Sequence, residues 1–262
     1  MISVQKSEYG FTLVELSIVL VIIGLLIGGI LVGQSLINSA KLQSQIRQFS
    51  QMDIAITNFQ GKYKKLPGDS SFHSVAGDGD GELENSVLNG GTKAATLAAF
   101  DYEIANFWRH LQQSGFLTKE YPTFSNNAAS GIRVGVHVPK AILGGGKTGI
   151  APFYCNIVNS ASCSGTRYYL ANFDAGSDSN ITPGTTGAVA AINVADMAAL
   201  DTKFDDGIAY TSNSVTYSAG KINTSSYSTT CYIASGNYYK YDITSGANCY
   251  FVLAMKAVNG LD

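Results

Sequence analysis

Apolar residues run almost unbroken through FTLVELSIVLVIIGLLIGGILVG, residues 11–33, and no side chain between positions 16 and 33 is charged. A run of that length predicts a helix able to cross a hydrocarbon core of about 30 Å. Past it the pattern becomes periodic. Leu42, Ile46, Phe49, Met52, Ile56, Phe59 and Tyr63 recur three or four positions apart, with Gln, Ser, Arg, Lys and Asp between them. This is one apolar stripe on a helix, packed on the protein's own globular part, with a polar face opposite. Neither Pro nor Gly interrupts residues 34–60, and Leu66-Pro67-Gly68-Asp69 stops the pattern. A helix from Phe11 to about Tyr63 is roughly 80 Å long at 1.5 Å per residue. A domain of this size cannot bury such a length, so the apolar half must meet lipid or copies of itself.

Downstream, the patterns are those of an α+β head with an antiparallel sheet. Residues 98–117 (AAFDYEIANFWRHLQQSGFL) predict a helix with Phe100, Ile104, Phe107, Trp108 and Leu111 on its buried side. Residues 131–138 place Ile132, Val134, Val136 and Val138 on one face, with Arg133 and His137 opposite, which predicts a half-buried strand. Residues 166–173 and 248–258 predict two more strands, the second buried on both faces. Residues 194–207 predict a short helix with Asn193 as N-cap and Gly207 as C-cap.

Glu15 breaks the apolar run. A carboxylate near the centre of a bilayer costs about 2.5–3.5 kcal/mol on insertion scales, so its presence asks for a function. A secretory signal has an apolar core of 7–15 residues, shorter than this one, and a small-residue cleavage site that INSAK matches poorly. A plain membrane anchor explains the length and leaves Glu15 without a purpose. A cut just before Phe11 creates an α-amine four residues from Glu15, and an ammonium is the partner such a carboxylate needs.

Gly10 before the cut, Phe11 after it, Glu15 as fifth mature residue and the unbroken helix resemble the class III signal peptides of type IV prepilins and type II secretion pseudopilins. The resemblance covers about the first thirty residues. It implies cleavage after Gly10 and N-methylation of Phe11 by a prepilin peptidase. It also implies pairing of Glu15 with the N-terminal amine of a neighbouring subunit. The division that follows is a leader at 1–10, a helix at 11–63 whose part 11–37 serves the membrane and assembly, and a pilin-like head at 64–262. The implied partners are copies of this chain, other pilins or pseudopilins, the assembly platform of the bacterial inner membrane and, before assembly, lipid. The head lies outside the cytoplasm, and the filament is periplasmic or extracellular. The competing expectation is a membrane-anchored, exported glycan-binding module or hydrolase.

Composition narrows the choice. The net charge is −2 and the 17 Lys and Arg form no basic run, which argues against nucleic acid as a partner. Cys155, Cys163, Cys231 and Cys249 form no CxxC, and no His sits at zinc-ligand spacing from them. In an exported chain they are expected in disulfides. Three pairings are open, and Cys155–Cys163 with Cys231–Cys249 closes the shortest loops.

Asp78, Asp80, Glu82 and Glu84 alternate in a Gly-rich stretch downstream of Asp69, a pattern that could wrap Ca²⁺. The EF-hand template fails, because Leu83 stands where its Gly belongs and Asn89 where its Glu belongs. The alternative is a solvated acidic turn. Asp205 and Asp206 at a helix C-terminus call for a compensating group such as Lys203. GGGKTG, residues 144–149, lacks the first Gly of a phosphate loop, since Ala141 stands there, and it reads as a surface loop. His73, His110 and His137 are isolated in sequence, and neither HExxH nor G-x-S-x-G occurs. No enzyme is expected. Tyr232, Tyr238, Tyr239, Tyr241 and Tyr250 form a cluster that could bind sugars or a neighbouring subunit, but strand tyrosines in a secreted β-rich head are more often structural.

Overall fold

The computed structural model describes residues 10, 12–73, 77–81, 83, 102–122, 133–156, 164–172 and 191–204. It also describes the short segments 210–211, 222–223, 232–235, 238–241, 243–244, 248–249 and 251–255. The chain divides into two compact units, residues 1–43 and 44–262.

The first unit carries most of the long helix α1, Leu13–Tyr63. From Thr12 to Lys41 every residue is exposed except the half-exposed Gly33. All the Leu, Ile and Val side chains between Leu13 and Ile37 are among them. It is the one helix among the described residues long and apolar enough to cross a membrane.

The second unit begins with the rest of α1. Phe49, Met52, Ala55, Ile56 and Phe59 are buried there, and Ile46 and Tyr63 half-buried, as the stripe requires. Phe49 stacks on Tyr168 at 5.5 Å, and Tyr168 stacks on Trp108 at 6.4 Å. The core is thus a layer between α1, the helix α2 (Tyr102–Gln113) and a sheet. The polar residues flanking the stripe also bind the head. Gln45 is fully buried, and its Oε1 accepts the amides of Ile142 and Leu143 at 2.8 and 3.1 Å. Gln48 donates to the Lys140 carbonyl at 2.7 Å, and Tyr168 donates its hydroxyl to Asp53 at 2.8 Å. Burial, and then the Asp53 charge, push the Tyr168 phenol well above its ordinary value.

The helix α1 ends through Lys64, whose φ of 57° is the left-handed cap normally given to Gly or Asn, and whose amide still reaches Gln60 at 2.9 Å. The helix α2 ends in the same way at Gly115, with Phe116 N–H donating to the Leu111 carbonyl at 3.0 Å.

The strands β1 (Thr148–Asn156) and β2 (Ser164–Asn172) pair antiparallel, with Ile150 opposite Leu170. The short β3 (Ile192–Asn193) runs into α3 (Val194–Phe204), and the Asn193 side chain accepts the Ala195 amide at 2.8 Å as the expected N-cap. The remaining strands are β4 (Tyr210–Thr211), β5 (Ile222–Asn223), β6 (Tyr232–Ser235), β7 (Tyr238–Tyr241), β8 (Asn248–Cys249) and β9 (Phe251–Ala254). They complete three groups, β1-β2-β9-β5, β3-β8 and β4-β7-β6. The likeness of this arrangement to a pilin head is not carried by the strand order.

One expectation is corrected. Residues 133–138 are a tight turn and not a strand: the amides of Val136 and His137 both donate to the Arg133 carbonyl, and Gly135 N–H donates to Val138. Gly135 has a φ of 83°, which reverses the chain and defeats the valine alternation. Within the predicted strand at 248–258, Asn248–Cys249 and Phe251–Ala254 are strands, and residues 250 and 256–258 lie outside the described residues. Helix α2 ends at Gln113, short of the predicted 117, and residues 98–101 lie outside the described residues, as do Ile132, Asp205, Asp206, Gly207 and Tyr250.

Candidate functional site

The N-terminal site is built around the first turn of α1. Thr12 precedes the helix. Its backbone N–H and its hydroxyl both donate to Glu15 Oε2, at 2.8 and 2.9 Å, and the Glu15 amide donates back to Thr12 Oγ at 3.3 Å. This is a capping box, which satisfies orphan donors at a helix start reciprocally. Its signature, Thr12-x-x-Glu15, stands in the sequence, but a reading concerned only with the charge of Glu15 passes over it. Thr12 is therefore a site residue that the sequence analysis missed. Among the described residues Oε1 of Glu15 accepts no hydrogen bond, so one oxygen remains for a further donor. Phe11 lies outside the described residues.

Gly10 is exposed, and a Cβ there would meet nothing within 4 Å among the described residues. The same holds for Gly24, Gly28, Gly29 and Gly33. Among the described residues nothing demands glycine at these places.

A second candidate lies in the head. Asp69 is fully buried, and its two oxygens accept the amides of Gly79 and Gly81, the latter at 2.9 Å. The Asp78 amide donates to Glu103 at 3.0 Å, and Lys65 Nζ donates to the Gly79 carbonyl. Gly68 is obligatory here: its φ is 93°, and a Cβ would come within 2.3 Å of the Glu103 carbonyl. Burial raises the Asp69 carboxyl to about 6 against the two amides, and the charges of Asp80 and Asp78 add to the rise.

Carboxylate oxygens of Asp69, Asp78 and Asp80 lie within 4.8 Å of one another, an all-oxygen set of the kind a hard cation takes. Of the expected ligands, Asp78 and Asp80 are thus brought together, while Glu82 and Glu84 lie outside the described residues. Asp69 acts here as a hydrogen-bond clamp on the loop, which accounts for the gathering without an ion.

The histidines are not isolated in space. His73 and His110 stack at 4.4 Å, with His73 Nε2 2.8 Å from Ser114 Oγ and Nδ1 3.2 Å from Ser70 Oγ. His110 Nδ1 accepts the Gly68 amide at 2.9 Å, which makes it part of the same loop clamp. Of the cysteines, Cys155 is placed by its strand opposite Gly165 and Cys249 by its strand opposite Ile192. Cys163 and Cys231 lie outside the described residues. GGGKTG leads into β1 and not into a helix, as a phosphate loop would require.

Residues 5–31 match the prokaryotic N-terminal methylation motif, which is the class III signal peptide of type IV pilins and pseudopilins. The match supports a pilin-like or pseudopilin-like exported protein, processed by a prepilin peptidase. An apolar helix beside the N-terminus is consistent with membrane anchoring. No curated protein and no solved structure matches the chain.

Proposed function

We propose that the chain is a structural subunit of a type IV pilus-like or type II secretion pseudopilus filament, cut between Gly10 and Phe11 and polymerised through its N-terminal helix. The methylation motif at residues 5–31 carries this reading. The exposed apolar surface of residues 13–37 supports it. Each Val, Leu or Ile left in water forgoes about 1.5–3 kcal/mol of burial, so the segment needs lipid first and neighbouring helices afterwards. The glycines that the isolated chain does not require suit close helix approach, in the small-xxx-small pairs Gly24/Gly28 and Gly29/Gly33.

In this reading the capping box has a second purpose. Before assembly Thr12 satisfies one oxygen of Glu15 at the helix start. After the cut, the methylated ammonium of a neighbouring Phe11 takes up the other oxygen and sets the register of the incoming subunit. The role is structural and not enzymatic.

The test is the mass of the N-terminal peptide of protein recovered from membranes and from sheared surface material. A peptide beginning at N-methylated Phe11 is expected in both. A peptide beginning at Met1 in surface material would refute the reading. Glu15→Val should leave cleavage and the unfolding of the head unchanged while the chain fails to enter filaments; normal incorporation would refute the pairing.

A further inference from the structure

A groove of about 290 Å³ opens between the second half of α1 and the segments that follow α2 and precede β1. Met52, Tyr121 and Pro139 are buried in its floor, and Gln48, Gln51, Lys119 and Lys140 stand around it. Among the described residues no carboxylate lines it, although the chain as a whole carries a net charge of −2. The rim is held in place from within. Lys119 Nζ donates to the Gly135 carbonyl and lies 5.7 Å from the centre of the Tyr121 ring. Gln48 fixes the Lys140 backbone through its carbonyl. Two lysines beside an apolar floor, one of them donating to the Gly135 carbonyl, give the groove a positive edge suited to a short acidic segment.

The same molecule presents such a segment. Asp80 is exposed and stands between Gly79 and Gly81, which carry no side chains of their own. The loop that carries it is clamped by Asp69, Glu103 and Lys65, so it arrives already shaped and loses little freedom on docking. We infer that the Lys119–Lys140 groove receives the acidic tip at residues 78–81 of a second copy of this chain. The inference rests on the filament reading for its high local concentration of copies. It goes beyond that reading in naming a contact between heads rather than between N-terminal helices. Charge complementarity of this kind favours correct register and suppresses wrong partners.

Zero-length cross-linking tests it on the full chain, in sheared filaments and in membranes. A water-soluble carbodiimide activates a carboxyl, and a Lys Nζ within contact distance displaces it as the urea, leaving an amide. The dimer band is digested with trypsin. The expected product joins Lys119 or Lys140 to the peptide 66–93, which contains the acidic tip. The double variant Lys119→Gln/Lys140→Gln should remove that product and lower filament yield by roughly two- to fivefold, the range for exposed ion pairs. The exchange Lys140→Asp with Asp80→Lys should recover more filament than either single change.

Filaments whose dimer band lacks the linkage would overturn the docking and leave the assembly reading intact. So would the two lysines joined to a different polypeptide. Finding the linkage in membrane dimers of a chain that makes no filament would uphold the docking and overturn the assembly reading.

Discussion

Residues 13–37 and residues 44–63 belong to one helix and have opposite surroundings. In the first stretch every large apolar side chain is exposed, and nothing among the described residues explains the glycines. In the second the stripe Phe49, Met52, Ile56 and Phe59 is buried, Ile54 alone among the large apolar residues is exposed, and polar residues beside the stripe bind the head. The second half carries its partner in the same chain. The first half carries the features of a surface whose partner lies elsewhere, in lipid or in another subunit. A change in the first stretch should therefore be silent in the folding of the head and visible in assembly. A change in the second should do the reverse.

The largest expected effect breaks the second half. Phe49→Ala removes a fully buried ring stacked on Tyr168, and such changes cost about 3–5 kcal/mol. Leu20→Ala, in the exposed first half, should alter urea unfolding of the full chain in detergent by no more than about 0.5 kcal/mol. Trp108 is the single Trp and is fully buried, so its fluorescence reports the transition. Equal losses in the two variants would abolish the distinction between the halves.

A smaller effect sharpens the boundary. Gln45→Leu leaves the amides of Ile142 and Leu143 without their acceptor inside the head, at about 1–3 kcal/mol, the cost of leaving a buried polar group unpaired. Gln34→Leu, on an exposed position of the same helix, should be neutral in the same unfolding experiment. At the opposite end, Thr12→Val removes the cap hydroxyl and should cost about 0.5–2 kcal/mol of local helix stability. Amide exchange at residues 13–16 in micelles should accelerate correspondingly and be restored by Thr12→Ser. Unchanged exchange in the valine variant would refute the capping role.

How far these features were legible depended on their range. The stripe from Leu42 to Tyr63, the stop at Leu66-Pro67-Gly68, the Asn193 cap and the buried face of α2 are local patterns, and the structure bears them out. The turn at 133–138 was misread because one Gly at positive φ outweighs three alternating valines. The burial of Gln45 was illegible, since its partners lie nearly a hundred residues away. A shorter separation, still well beyond local pattern, hid the meeting of His73 with His110. The Thr12–Glu15 box was legible as a spacing. The anchor role of Asp69 was not, because it depends on the loop at 77–81 folding back over it.

The smallest effect concerns pH and belongs entirely to the head. Asp69 has its carboxyl raised to about 6 from an ordinary 3.8, so between those values the folded state holds more protons than the unfolded one. Stability from this group therefore falls as pH rises from about 4 through 6 and is level above. His73 acts in the opposite sense. Burial, then the charges of Lys62 and Arg109, lower it below 6.5, so the unfolded state binds the extra proton and stability falls as pH drops below that value. The two slopes partly cancel in the wild-type melting curve, and a flat profile there is no test of either. Asp69→Asn separates them. It loses one amide contact and lowers stability throughout, but it removes the falling limb, so its stability should rise with pH between 4 and 6 relative to the wild type. Carbon-13 titration of the Asp69 carboxyl in the wild-type chain should give a midpoint near 6. A midpoint near 4 would mean that the amides of Gly79 and Gly81 outweigh burial, and the two pH profiles should then run parallel.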